Sequence, residues 1–173
     1  MIKHIEKDPI QNPLKRFLFL GVSTGLGTGY APFAPGTFGS LLGIPLGLGL
    51  IYLPGWQALL VIGAIFAIVQ PMVERSCKHW GEMDSSKVVI DEVIGQALGM
   101  LTLRHFIRNG TFPPLSLIVI SFVLFRVLDI LKPFPARTFD RQPTAFGVLA
   151  DDVVCGLYTA LITHAFIRLW PTL

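Results

Sequence analysis

Five carboxylates, Asp91, Glu92, Asp129, Asp151 and Asp152, sit in short polar notches of otherwise apolar sequence. The notches read Val-Val-Ile-Asp-Glu-Val-Ile-Gly, Phe-Arg-Val-Leu-Asp-Ile-Leu-Lys-Pro and Gly-Val-Leu-Ala-Asp-Asp-Val-Val-Cys-Gly. Taking an ionised carboxylate out of water is costly unless it is paired or metal-bound. Three such notches in one small chain suggest a shared reason, and a hard divalent cation held by converging carboxylates is the simplest one.

Bases accompany one notch. At helical i to i+3 spacing, Arg126 lies beside Asp129, and Asp129 beside Lys132. Arg137 follows a Pro-Phe-Pro turn that would return it towards the helix end. A salt-bridge ladder on a polar stripe has the same spacing, but the apolar neighbours Phe125, Val127, Leu128, Ile130 and Leu131 make that stripe narrow. Neighbours on a helix diverge by about 100°, so one member of Asp91-Glu92 and of Asp151-Asp152 can face a site while the other caps or supports. Asp151 or Asp152 also suits the N-cap of the last helix. The loop Ala31-Pro-Phe-Ala-Pro-Gly-Thr-Phe-Gly-Ser40 offers glycine amides and a helix start to an anion, with Gly36 and Thr37 at its centre. As a bare pattern it is more often simply a turn, and without GxxxxGK[ST] it is no P-loop. Carboxylates for a metal, bases for a phosphate and an anion-friendly loop point to metal-assisted chemistry on a phosphorylated lipid.

The elements expected to position these groups are helices. Residues 1–16 are polar. Residues 21–40 are too rich in Gly and Pro for a regular helix, so a loop is expected there, ending at a helix start near Thr37 to Ser40. Phe38 to Leu53 and Trp56 to Val69, joined by Pro54-Gly55, suggest a helical hairpin, followed by a charged connection from Glu74 to Lys87. Further helices are expected over 88–103, over Leu115 to Leu131 after a break from Arg104 to Pro114, and from about Leu149 to Leu169. Strand signals are weak. The expected fold is all-α: a compact, membrane-associated multi-helix bundle with a Gly/Pro-rich active-site loop. A polar tail over 1–14 would precede a single domain over 15–173.

The environment follows from composition. Of the 173 residues 52% are hydrophobic and 14% charged, against roughly 25% charged in ordinary soluble domains. Phe17 through Val73 contains no Asp, Glu, Lys, Arg or His, which makes the bilayer the leading environment. The runs are near or below the ~20 residues needed to span, so spanning, re-entrant and buried helices all stay open. A net charge of +3, without a basic stripe, disfavours nucleic acid as a partner. Basic residues before the first apolar run and again in 75–87 would share the cytoplasmic side of a hairpin. Cys77 and Cys155 form no CxxC and read as reduced thiols.

Four blocks in order together resemble the phosphatidylglycerophosphatase A family of bacterial lipid phosphatases, from about residue 15 to the end. They are the loop from Gly27 to Leu41, Ile90-Asp-Glu-Val-Ile-Gly95, Phe125-Arg-Val-Leu-Asp-Ile-Leu-Lys-Pro-Phe-Pro-Ala-Arg137 and Gly147-Val-Leu-Ala-Asp-Asp-Val-Val-Cys-Gly156. The resemblance implies a helical, inner-membrane, Mg²⁺-dependent enzyme that converts phosphatidylglycerophosphate to phosphatidylglycerol. It implies catalytic roles for Asp91, Glu92, Asp129, Asp151 and Asp152, with Mg²⁺ on Asp91, Glu92, Asp129 and Asp152. Arg126, Lys132, Arg137, Gly36 and Thr37 would hold the phosphate.

Other phosphatase chemistries lack their residues. Neither cysteine begins a Cys-x5-Arg loop, there is no Asp-x-Asp-x-Thr, and His4, His79, His105 and His164 fall outside the four blocks. Attack by a metal-activated water is left, with an attacking aspartate still open. The competing class is a helical ion or proton transporter using the same carboxylates. Arg and Lys beside Asp129 suit phosphate better than a cation path. A soluble all-α phosphatase or binding domain is a further alternative.

Overall fold

A computed structural model describes residues 10, 12–82 and 85–169. Among these residues there is no strand and there are eight α-helices: α1 Pro13–Ser23, α2 Pro35–Leu50, α3 Gly55–Trp80, α4 Ile90–Gly99, α5 Arg104–Arg108, α6 Leu115–Leu131, α7 Ala136–Asp140 and α8 Ala145–Leu169. Short 3-10 turns cover Thr28–Tyr30 and Met100–Leu103. The all-α expectation is met.

Local chemistry sets several boundaries. Asn12 caps α1, its side chain accepting from the Leu14 and Lys15 amides at 2.9 and 3.3 Å. Gly21 to Ser23 therefore belong to a helix and not to the expected loop. Pro35, with its φ pre-set and no amide hydrogen to lose, opens α2, slightly ahead of the expected start at Thr37 to Ser40. α3 continues past the anticipated charged connection: Lys78 pairs with Glu74 at 2.6 Å one turn away, and Gly81, at φ 75°, ends the helix. The expected break after Arg104 contains the short α5.

α8 also starts earlier than expected. Thr144 Oγ1 accepts from the Gly147 amide at 3.0 Å, so Thr144 does the capping. Asp151 and Asp152 lie inside the helix, where they cap nothing; that reading of them is corrected.

The anticipated hairpin of α2 on α3 does not form. α2 packs on α4, and α3 packs mainly on α1. α4 is the central element, buried from Val93 to Gly99 between α2 and α8. Gly39, Gly43 and Gly47 present a side-chain-free edge of α2, one per turn, to Val89, Gln96 and Met100. On the other side Gly95 meets Gly156: a Cβ on Gly156 would fall 2.3 Å from the Gly95 carbonyl oxygen, and one on Gly95 would fall 2.6 Å from the Asp152 carbonyl oxygen. The two helices cross backbone against backbone, which fixes the Asp91-Glu92 turn against the Asp151-Asp152 turn. α6 and α7 close the bundle on α8.

By length and composition α3 and α8 could each cross a bilayer. Only 22% of the apolar window of α3 is buried, against 56% for α8. Trp56, Leu59, Leu60 and Ile68 leave α3 with an exposed greasy face.

Candidate active site

The three acidic notches converge on a cavity of about 250 Å³. Asp91 and Glu92 of α4, Arg126 and Asp129 of α6, Lys132 at the end of α6, and Asp151 and Asp152 of α8 line it, with Ala34, Pro35 and Gly36 at the start of α2. Residues more than a hundred positions apart thus meet because α4 is clasped by α2 and α8.

Asp91, Glu92 and Asp152 each offer an oxygen, all within 4.8 Å of one another. Asp91 Oδ1 accepts from the Glu92 amide at 3.0 Å, orienting its carboxylate. Glu92 Oε2 is buried with no hydrogen-bond partner. Burial first, then the neighbouring Asp91 carboxylate, drive the Glu92 carboxyl well above the usual range; burial raises Asp91 against the opposing hydrogen bond to Glu92. Hard oxygen donors this close, one an orphaned acceptor, fit a divalent cation by donor type and by the charge they need compensated.

The bases stand beside this cluster, each already oriented. Arg126 Nη1 lies 2.5 Å from Asp129 Oδ2 and donates to Ser40 Oγ at 3.2 Å, while Ser40 donates to the Gly36 carbonyl at 2.8 Å. Lys132 donates to Asp151 Oδ2 at 2.7 Å and also to Asp140. Burial works against the charged lysine, but these two hydrogen bonds outweigh it and raise its pKa. Gly36 leaves room for two of these groups: a Cβ there would sit 2.2 Å from Glu92 Oε1 and 3.2 Å from Arg126 Nη1, and the side chains would have to move from the positions they hold.

Two of the three non-glycine residues with positive φ among the described residues, Ala34 (φ 46°) and Lys132 (φ 45°), line this cavity. A left-handed backbone is unfavourable for a residue with a Cβ, and such conformations gather where function over-determines them.

The family model described as Phosphatidylglycerophosphatase A matches residues 21–167. A protein of Haemophilus influenzae named phosphatidylglycerophosphatase A is 35% identical over 167 residues, covering 92% of this chain and 96% of that protein. One of the same name from Escherichia coli is 34% identical, covering 87% and 84%. A Bacteroides thetaiotaomicron protein with the provisional name phosphatidylinositol-3-phosphatase is 33% identical, covering 84% and 91%.

The chain belongs to the phosphatidylglycerophosphatase A family. It is, with that family, a lipid phosphatase. No solved structure matches it significantly.

Within this phosphatidylglycerophosphatase A chain the expected residues divide. Asp91, Glu92, Asp129, Asp151, Asp152, Arg126, Lys132 and Gly36 share the cavity. Thr37 is half-buried and Arg137 exposed, and neither lines it. Asp129, expected among the ligands, pairs with Arg126 and lies against Asp152 at the edge of the three-carboxylate cluster. Sequence reasoning missed Asp140, Ser85 and Ser86 on the cavity wall. Asp140 lies in the mixed run Arg-Thr-Phe-Asp-Arg, where a carboxylate looks like ordinary surface charge. Ser85 carries a stronger signal in three dimensions: it is 3% exposed and its Oγ has no partner.

Proposed function

We propose that this chain removes the terminal phosphate of phosphatidylglycerophosphate, with Mg²⁺ as its cation, leaving phosphatidylglycerol and inorganic phosphate. The observation that supports this most is the meeting in one cavity of a three-carboxylate cluster with Arg126 and Lys132. Cation-binding and phosphate-binding chemistry stand side by side, an arrangement better suited to a phosphomonoester than to a relay of carboxylates carrying ions.

Asp91, Glu92 and Asp152 would hold Mg²⁺, which would supply Lewis-acid charge to the phosphoryl oxygens. Arg126, already directed by Asp129 and Ser40, neutralises the charge that builds on the equatorial oxygens as the phosphorus–oxygen ester bond breaks. Lys132, held between Asp140 and Asp151, does the same from the other side. Asp129, at the edge of the cluster beside Asp152 and outside the lysine pairs, takes the proton of the attacking water. The amides at the start of α2, beside Gly36, seat the phosphate. Arg137 and Thr37 are left with the outer part of the headgroup. The setting we propose is the bacterial cytoplasmic membrane with the cavity at the cytoplasmic face, in line with the two long apolar helices, the bacterial relatives and the placement of basic residues.

The test is phosphate release from phosphatidylglycerophosphate in mixed micelles, with Mg²⁺ or with EDTA, beside phosphatidylinositol 3-phosphate as a competing lipid. Release that needs Mg²⁺ and favours the first lipid is expected. Release unaffected by EDTA would overturn the cation, and a preference for the second lipid would overturn the substrate. Asp152→Asn and Asp129→Asn should each reduce turnover at least a hundredfold, about the contribution of a general base. Asp152→Asn alone should also weaken Mg²⁺ binding in calorimetry.

A further inference from the structure

A second, larger cavity of about 720 Å³ lies along α1 and the following loop, lined by Phe17, Leu18, Leu20, Gly21, Leu26 and Tyr30 among others. We infer that this groove seats an acyl chain of the lipid substrate while the headgroup lies in the carboxylate cavity; the inference rests on the lipid-phosphatase reading above.

Its lining is apolar and open. Phe17 is 76% exposed and Leu26 86%, large apolar surfaces that water disfavours. Leu26 is also the remaining non-glycine residue with positive φ, at 58°. An exposed leucine in a left-handed backbone gains nothing from the protein's own packing, so a ligand gives it a purpose.

Continuity with the carboxylate cavity selects the occupant. The groove's loop rests on the segment that walls the cavity: the Val89 amide donates to the Ser23 carbonyl at 3.0 Å, and a Cβ on Gly29 would fall 2.0 Å from the Lys87 carbonyl oxygen. Ser85, Ser86 and Val88 of that segment face the carboxylates. Tyr30 in the groove and Ala34 in the cavity are four residues apart, so at most about 14 Å of chain separates them. A molecule with a phosphate at one end and a hydrocarbon tail at the other matches that order.

Gly21 provides the probe, because a Cβ there meets nothing within 4 Å. Gly21→Trp sets a large side chain on the groove wall, its Cβ meeting no protein atom within 4 Å, and improves the helix propensity of α1. Each methylene shut out costs about fourfold in affinity. In the full-length protein, KM for the long-chain substrate should rise at least about tenfold, with kcat/KM for the deacylated headgroup unchanged. A direct arm measures displacement of a fluorescent fatty-acyl probe, which should bind the native protein and be lost in Gly21→Trp. A folded Gly21→Trp that keeps both its long-chain KM and its probe binding overturns the inference. So does loss of vesicle binding with probe binding intact, which would instead lay α1 on the bilayer surface. If no phosphate is released from any lipid but the probe still binds in the groove, the phosphatase reading fails while the acyl site stands.

Discussion

Glu92 carries the clearest residue-scale consequence. Its carboxyl is raised above the ordinary value of 4.5 by burial and by Asp91, so its protonated form favours the fold. That contribution is complete below the unfolded value and is lost as pH rises through the folded one. In EDTA the melting temperature should therefore fall as pH climbs above the ordinary carboxylate value, and Glu92→Gln should flatten the fall. A native protein whose Tm stays level over that range would contradict the assignment. Ser85 gives an opposite signature. Replacing a buried, unpaired hydroxyl by alanine removes a desolvation cost, so Ser85→Ala should match or slightly exceed the native Tm. If the hydroxyl binds substrate, kcat/KM falls by about two- to tenfold, the worth of one hydrogen bond. Unchanged kinetics would make the hydroxyl a bystander. Both residues show how far sequence reaches at this scale. Glu92 was legible because a charge in Val-Ile-Asp-Glu-Val-Ile is anomalous by itself. Ser85 was not, because a serine becomes anomalous only when its burial and lack of a partner are known.

The element scale turns on the contact of α4 with α8. Gly156→Ala places a methyl 2.3 Å from the Gly95 carbonyl oxygen, a backbone atom that cannot rotate away. Overpacking of this kind costs about 1–3 kcal/mol. Gly63→Ala in α3 meets nothing within 4 Å and should stabilise by roughly 0.5–1 kcal/mol through helix propensity. Urea unfolding of the two variants checks the contrast; equal effects would mean the crossing is looser than described. Element boundaries were legible where Pro and strong apolar runs punctuate the chain. α6 has the bounds read from the sequence, Leu115 to Leu131, because Pro114 precedes it and Lys-Pro follows. The end of α3 was not legible, because Glu74, Arg75 and Lys78 read as a connection when they are the polar side of a continuing helix. Arg75 in fact lies over the Phe19 ring of α1 at 5.4 Å. The start of α8 was hidden in the same way: Gly147 looks like loop, yet it is small because a Cβ would fall 2.6 Å from the Gln142 carbonyl oxygen.

Taken whole, the molecule turns polar groups inward at one cavity and apolar groups outward along α1 and α3. With Leu60 64% exposed on α3, the protein should fractionate with membranes and need detergent. Adding a charge there, as in Leu60→Asp, should move a measurable share into the soluble fraction; recovery of the native protein in detergent-free buffer would count against bilayer residence. The all-α class could be read from composition, but the partner of each helix could not, since α2 choosing α4 over α3 depends on glycines matching across a gap. That choice carries a further consequence. Because the main chains of α4 and α8 touch at Gly95 and Gly156, the helix turns that carry Asp91, Glu92 and Asp152 cannot slide past one another, and only the carboxylate side chains are left to adjust to an ion. On the Mg²⁺ proposal, three carboxylates on fixed turns suit an ion that keeps several waters better than Ca²⁺, which takes six to eight oxygens at about 2.3–2.6 Å, so Ca²⁺ should support less turnover than Mg²⁺.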